Sequence, residues 1–135
     1  MSTAEQALES AILAVLANDE SVLALLGDPL RLVEVDSPKP AFPCLEITRH
    51  SSEPAGSAGV EASEHRIDLA ATSRNDAGAG SLAVIGAVRT ALDAAELMLD
   101  GWRCVLLLPV FADTLREGVG RWRTVMRLKA VVEAV

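Results

Sequence analysis

Residues 121–132 constrain the fold more than any other part of the chain. Mostly apolar side chains alternate there with mostly charged ones. Because successive side chains of a β-strand point to opposite faces, this spacing predicts a strand with one core face and one cationic face. The predicted core face carries Trp122, Thr124, Met126, Leu128, Ala130 and Val132. The opposite face carries Arg121, Arg123, Val125, Arg127, Lys129 and Val131.

The remaining elements follow from apolar spacing and from turn residues. Helices are predicted over residues 3–17, with Ser2 and Glu5 as a capping box, over a short segment between Asp19 and Gly27, and over residues 76–99 after Asn75-Asp76. Further strands are predicted over residues 30–35, 44–49, 65–73 and 102–111. The last of these is almost wholly apolar, which predicts a central strand buried on both faces.

The order of these elements predicts an α+β fold. We expect a single domain over residues 1–135, with an antiparallel or mixed sheet of about five strands. The long helix and the N-terminal helices should pack mainly on one face of it. Residues 50–63 and 112–120 are predicted to be connections, because they carry few large apolar side chains. We expect both connections to become ordered against partner proteins.

Composition excludes several classes of protein. Half of the residues are apolar, so a core can form. The longest apolar stretch has nine residues, too few to cross a membrane, and no basic residue precedes Arg31, so no secretory signal is expected and the cytoplasm is the expected compartment. Cys44 and Cys104 have no further ligand at metal spacing, which predicts neither a disulfide nor a zinc site.

Candidate catalytic residues are few. His50 and His65 are the only histidines, and neither lies in a recognisable triad motif. They are expected to be a loop residue and a strand residue. Gly78-Ala79-Gly80 follows a strand and opens a helix, as a phosphate loop does, but it lacks the Lys-Ser/Thr pair of that motif. We therefore predict no catalytic residue, no metal and no cofactor, and keep a small cytoplasmic enzyme as the less favoured alternative.

Charge is distributed unevenly along the chain. Residues 1–100 carry six basic and sixteen acidic side chains, whereas residues 101–135 carry six basic and three acidic ones. The cationic row of residues 121, 123, 127 and 129 fits a solvated face, pairing with carboxylates of the same chain or of a partner, or nucleic-acid contact. The overall charge of −7 disfavours strong non-specific DNA binding.

The whole layout resembles the tail terminator, or tail-completion, family of long-tailed bacteriophages and gene transfer agents. The resemblance spans nearly the full chain. It is carried by five stretches in order: the opening helix with Asp19–Gly27, Pro40–Ile47, Ile67–Arg74, the long helix after Asp76-Ala77-Gly78, and Gly120–Met126.

The resemblance implies a structural virion protein without enzymatic activity. Members of the family look like α+β subunits in hexameric rings that close the head-proximal end of the tail tube. The implied partners are further copies of the chain, the tail tube protein and a head-tail connector or head-closure protein. DNA passes through the lumen without sequence-specific binding, and no membrane is involved. The implied location is the neck or tail of a virion or gene-transfer-agent particle, assembled in the bacterial cytoplasm.

Interfaces are expected at charged residues of the two connections and of the cationic row. These residues are Glu53, Glu61, Arg116, Glu117, Arg121, Arg123 and Arg127. Another neck or tail component, such as a head-closure or tail-tube protein, is the main alternative to a tail terminator. The two readings differ in the protein that the chain binds.

Overall fold

The structure, a computed structural model, describes residues 2–33 and 41–135 and confirms the predicted α+β class. Its elements in chain order are α1 (Ala4–Ala17), α2 (Glu20–Leu26), β1 (Cys44–Pro54), β2 (Ala62–Arg74), α3 (Ala79–Ala94), β3 (Trp102–Gly118) and β4 (Arg121–Ala134). Within the described residues the sheet has four strands and not the five predicted. In place of the strand predicted over residues 30–35, Leu32 forms one isolated parallel bridge with Leu45, and residues 34–40 lie outside the described residues.

The sheet is antiparallel throughout, in the order β1-β2-β4-β3. The inner strands pair without irregularity from Ala62 opposite Glu133 to Arg74 opposite Arg121. β1 and β3 form the two edges, and each contains at least one register shift. The long β2–β4 ladder therefore fixes which side chains share a face over the whole sheet.

The core lies between the helices and one face of the sheet. The predicted core face of β4 is confirmed for Thr124, Met126, Leu128, Ala130 and Val132, which are buried, whereas Trp122 at its start is only partly buried. Burying these apolar side chains together is the main favourable contribution to folding. Fully buried residues of the helices and the other strands complete the core, among them Leu8, Ile12, Leu16, Val84, Val88, Leu45, Ile67 and Leu69.

Local capping decides where the helices begin. The capping box of α1 forms one residue later than predicted: Thr3 accepts a hydrogen bond from the backbone N–H of Gln6, whose side chain accepts one from the N–H of Thr3. Asp19 caps α2 as predicted.

The third helix is shorter than predicted at both ends. It begins after Gly78, a glycine in the left-handed conformation, and ends at Ala94 and not near residue 99. One stripe of the helix is buried, and it consists of Ser81, Val84, Ile85, Val88, Ala91 and Leu92.

The predicted connection over residues 50–63 is a β-hairpin. β1 continues to Pro54 and β2 begins at Ala62, so only residues 55–61 form a loop. His50 is therefore a strand residue and not a loop residue. The prediction of a connection was wrong because most of the outward side chains here are small and polar, whereas the backbone makes the strand pairing.

β3 departs most from the prediction. It runs through residues 112–118, which were predicted to be a polar connection, and only a tight turn at residues 119–120 separates it from β4. It lies at an edge of the sheet and not in the centre, and most of its residues are exposed.

None of the helices described is long and apolar enough to cross a membrane.

Candidate assembly surface

The face of the sheet opposite the helices carries the predicted cationic row. We call it the open face. It is formed by Arg121, Arg123, Val125, Arg127 and Lys129 of β4 and by the residues paired with them on the neighbouring strands. All members of this row lie on one side of the sheet, because successive side chains along β4 point to opposite faces.

Arg127 forms the best-aligned ion pair of the open face. Its Nε and Nη2 atoms donate to the two carboxylate oxygens of Asp68, at 2.8 and 3.1 Å. Such a two-pronged contact fixes orientation as well as charge. Asp68 is only 8% exposed, and its hydrogen bond and charge raise the pKa of Arg127 above the usual value.

Arg123 connects both edges of the sheet. One of its terminal nitrogens lies 3.2 Å from a carboxylate oxygen of Glu46 on β1, and the other lies 3.4 Å from one of Glu117 on β3. The side chain thereby crosses β2, where the small residues Ala70 and Thr72 are buried on the open face.

Glu64 balances two further cations. Its Oε1 atom lies 2.8 Å from Arg66 and 3.4 Å from Lys129. The hydrogen bond from Arg66 is the main reason, before that from Lys129, why the pKa of Glu64 is lowered.

The cationic row is thus largely neutralised within one subunit. Of the readings left open by the sequence, pairing with carboxylates of the same chain is the one found at Arg123, Arg127 and Lys129. A cation already engaged by a carboxylate contributes less to phosphate binding, so this arrangement does not favour nucleic-acid contact.

An apolar strip runs along β3 beside these ion pairs. On the open face, Leu106, Phe111 and Leu115 are 37%, 52% and 42% exposed. Val105 and Val110, at two register shifts, add exposed apolar surface. We call these five residues the β3 strip. Exposed apolar side chains grouped along one strand are typical of a site of protein interaction, and here the exposed Asp113 lies between Phe111 and Leu115 on the same face.

The charged residues predicted at interfaces are divided between the two ends of the sheet. Glu117, Arg121 and Arg123 lie near the β3–β4 turn, and Glu117 contacts Arg123. Glu53 and Glu61 lie at the other end, where they line one groove of about 430 Å³ beside α1. Arg127 lies midway, and Arg116 is exposed with its Nε donating to the carbonyl of Gly118. The interface role of these residues stays a prediction.

Phe42 organises a second recess that the sequence did not indicate. The guanidinium carbons of Arg74 and Arg121 lie 4.5 and 5.4 Å from the centre of its ring. These side chains line a cavity of about 570 Å³ together with Glu46, Glu117 and Arg123. The only signal for it was the aromatic residue between prolines in Pro40–Pro43.

In the glycine-containing turn before α3, a carboxylate of the same turn accepts hydrogen bonds from the backbone N–H groups. Asp76 accepts hydrogen bonds from the N–H groups of Gly78 and Gly80, both at 2.9 Å, and from the hydroxyl of Ser73. These N–H groups are the donors that a bound phosphate would use. The turn is therefore a local anchor, and it does not support the alternative of an enzyme.

The two cysteines pack as neutral thiols. Cys44 is buried and Cys104 is half-buried, and burial raises the pKa of both thiols. A raised pKa disfavours the reactive thiolate.

Taken together, a small α+β subunit with helices on one sheet face, and an exposed apolar strip beside ion pairs on the other, defines a protein that assembles with others. The sequence matches the family described as tail completion protein gp17 over residues 10–133. The chain belongs to this family, which confirms the resemblance derived from the residues.

A solved structure supports the same assignment. A chain in the virion of a native gene transfer agent (GTA) particle has 26% sequence identity to this one and a TM-score of 0.85. The match covers 98% of this chain and 100% of that chain. No curated protein matches the sequence. The family assignment makes the chain a structural tail protein of a virion, and not an enzyme.

Proposed function

We propose that the chain forms a ring that caps the head-proximal end of a tail tube and joins it to a head-side connector or head-closure protein. DNA passes through the lumen of this ring. Membership of the tail completion family and the likeness to a chain of a gene-transfer-agent virion support this role. We propose a gene-transfer-agent particle or a long-tailed phage as the place where it acts.

The exposed β3 strip is the observation that carries the proposal. A domain of this length has a radius of gyration of about 14 Å, so one copy cannot surround a DNA duplex and several must join. A closed ring with cyclic symmetry uses two different patches of each subunit. We assign one patch to the β3 strip, and we take six copies from the family resemblance.

Charge suits a channel that does not bind DNA tightly. The chain has a net charge of −7, and three cations of the open face are paired with carboxylates. Because affinity for DNA depends on neutralising phosphates, such a surface lets the duplex move.

Deletion of the gene in particle-producing cells tests the proposal. We expect filled heads and separate tails in place of joined particles. Expression of the wild-type chain or of Leu82→Glu should restore the joining of heads to tails, whereas expression of Phe111→Glu should not. Leu82 matches Phe111 in exposure, at 52%, but lies on α3. Normal joined particles after deletion would overturn the proposal. Binding of the purified chain, added to these separate parts, to free heads instead of free tails would also overturn it and would identify a head-closure protein.

A further inference from the structure

A chain of hydrogen-bonded side chains joins α1 to the β1–β2 hairpin on the helix side of the sheet. Nδ1 of His50 lies 2.7 Å from Oε2 of Glu9, and Nε2 of His50 lies 2.8 Å from Nδ1 of His65. Nε2 of His65 lies 2.7 Å from the hydroxyl of Ser63. A parallel contact, from Ser52 to Glu5 at 2.7 Å, joins the same elements.

The two rings of this hydrogen-bonded chain are shielded from water, whereas the side chain of Glu9 is 36% exposed. His65 is completely buried, and the side chain of His50 is 8% exposed. Buried polar groups that lose their partners destabilise a fold, so the protons on these rings matter.

The donors and acceptors of these side chains limit how many added protons the two rings can bind. If Glu9 is ionised, Nδ1 of His50 must carry a hydrogen, and exactly one hydrogen fits between the two rings. The hydroxyl of Ser63 either donates to His65 or accepts from it. The pair therefore accommodates no added proton or one. With a second added proton, two N–H groups face each other across 2.8 Å without an acceptor, and two cationic rings lie 5.0 Å apart.

The carboxylate that contacts this pair stabilises a positive charge on His50 more than one on His65. α1 contributes Glu5 and Glu9, of which Glu9 contacts only His50. Glu53 and Glu61 line the adjoining groove. From β4, His65 faces Ala130, and its neighbours on that side are uncharged, namely Leu128 and Val132. The remaining charged groups nearby, Glu64 and Arg66 of β2, alternate onto the open face.

We propose that the chain Glu9–His50–His65–Ser63 is a pH-sensitive latch. It holds the β1–β2 hairpin on α1 while the two rings share at most one added proton, and it releases the hairpin when both rings are protonated. The released segment includes the loop with Glu61, which we expect at an interface. This latch is a property of the single subunit and does not depend on the proposed ring.

The direction of the pH dependence follows from His65. Burial first, and the charge of His50 second, lower its pKa below the usual value of 6.5, and the charge of Glu5 opposes them only in part. An unfolded or released His65 therefore binds a proton more readily than the latched one. The stability that the latch contributes is complete above about pH 6.5 and is lost as the pH falls from there towards the lowered pKa.

Hydrogen exchange between pH 7.5 and 5.0, corrected for intrinsic rates, tests the latch. Below about pH 6.5 we expect opening of the amides of residues 49–53 to increase by up to about tenfold per pH unit, because one proton is coupled to release. Amides of α3 serve as the internal control and should not change in the same way. Equal behaviour of both segments would overturn the proposal.

A variant and a spectroscopic measurement make the test independent of folding defects. His65→Gln keeps a donor and an acceptor but cannot take the second proton, so its hairpin opening should be nearly independent of pH. In the wild-type chain, ring ¹⁵N shifts of His65 should show that this ring stays neutral below its usual pKa of 6.5. A His65 ring that is protonated near pH 6.5, with the hairpin still protected, would contradict the latch.

Discussion

Arg127 binds Asp68 through two hydrogen bonds, although the residues are 59 positions apart in sequence. They face each other directly in the β2–β4 ladder. The open face is therefore organised by contacts inside the subunit before any partner arrives. The exposed side chains of the apolar β3 strip lie beside these contacts.

Arg123→Glu should destabilise the subunit itself. The new carboxylate would face Glu46 and Glu117 in place of their common cation. We expect a loss of about 1 to 3 kcal/mol in the free energy of unfolding, measured with urea. Arg89→Glu on the exposed side of α3 is the charge-matched control and should change stability by less than about 0.5 kcal/mol. Equal effects would show that the observed pairs contribute nothing.

Phe111→Glu should abolish assembly without unfolding the subunit. The ring of Phe111 is half exposed and its centre lies 5.8 Å from the guanidinium carbon of Arg127, so part of its packing is lost, and we expect a stability loss of about 1 kcal/mol. Electron microscopy of purified tail tubes incubated with each variant should show capping rings for Leu82→Glu and none for Phe111→Glu. Rings formed by both variants would place the contact between copies elsewhere.

Thr124→Val should weaken the core by about 1 to 3 kcal/mol. The hydroxyl of Thr124 lies 2.9 Å from that of Ser81 and 3.0 Å from that of Thr114, and Ser81 is completely buried. Thr90→Val is the control, because Thr90 is exposed and its hydroxyl bonds only within α3. Thermal unfolding of both variants measures the difference. Similar losses would mean that the buried hydroxyl cluster is dispensable.

Two glycines near and within α3 should respond to alanine with opposite signs. A Cβ at Gly80 would lie 3.0 Å from the Cβ of Ser73 and would press on the carboxylate of Asp76, so Gly80→Ala should destabilise the fold. A Cβ at Gly86 meets nothing within 4 Å, so Gly86→Ala should stabilise the helix by up to about 1 kcal/mol. Urea midpoints of the two variants measure the effect, and a shared sign would contradict the described packing.

The sequence predicted correctly those features that depend on residues close together along the chain. The alternation of residues 121–132 identified both faces of β4, and Asp19 and Gly27 marked the ends of α2. The predicted central position of β3 was wrong, because nine consecutive apolar residues indicate a strand but do not indicate which strands lie beside it. An exposed apolar edge strand has the same sequence pattern as a buried central one.

Long-range partners account for the rest. The sequence indicated that the cations of β4 need carboxylates, but not that Asp68, Glu46 and Glu64 supply them. It likewise placed His50 in a loop, because the contact that fixes it comes from Glu9, 41 positions earlier. Neither partner leaves a local signal.

An electron cryo-microscopy reconstruction of the particle neck tests the central claim most directly. We expect six copies of the chain in one ring at the head-proximal end of the tail tube, with Leu106, Phe111 and Leu115 covered by a neighbouring copy. A neck in which this chain is absent from that position, or in which these three side chains face solvent, would contradict the account.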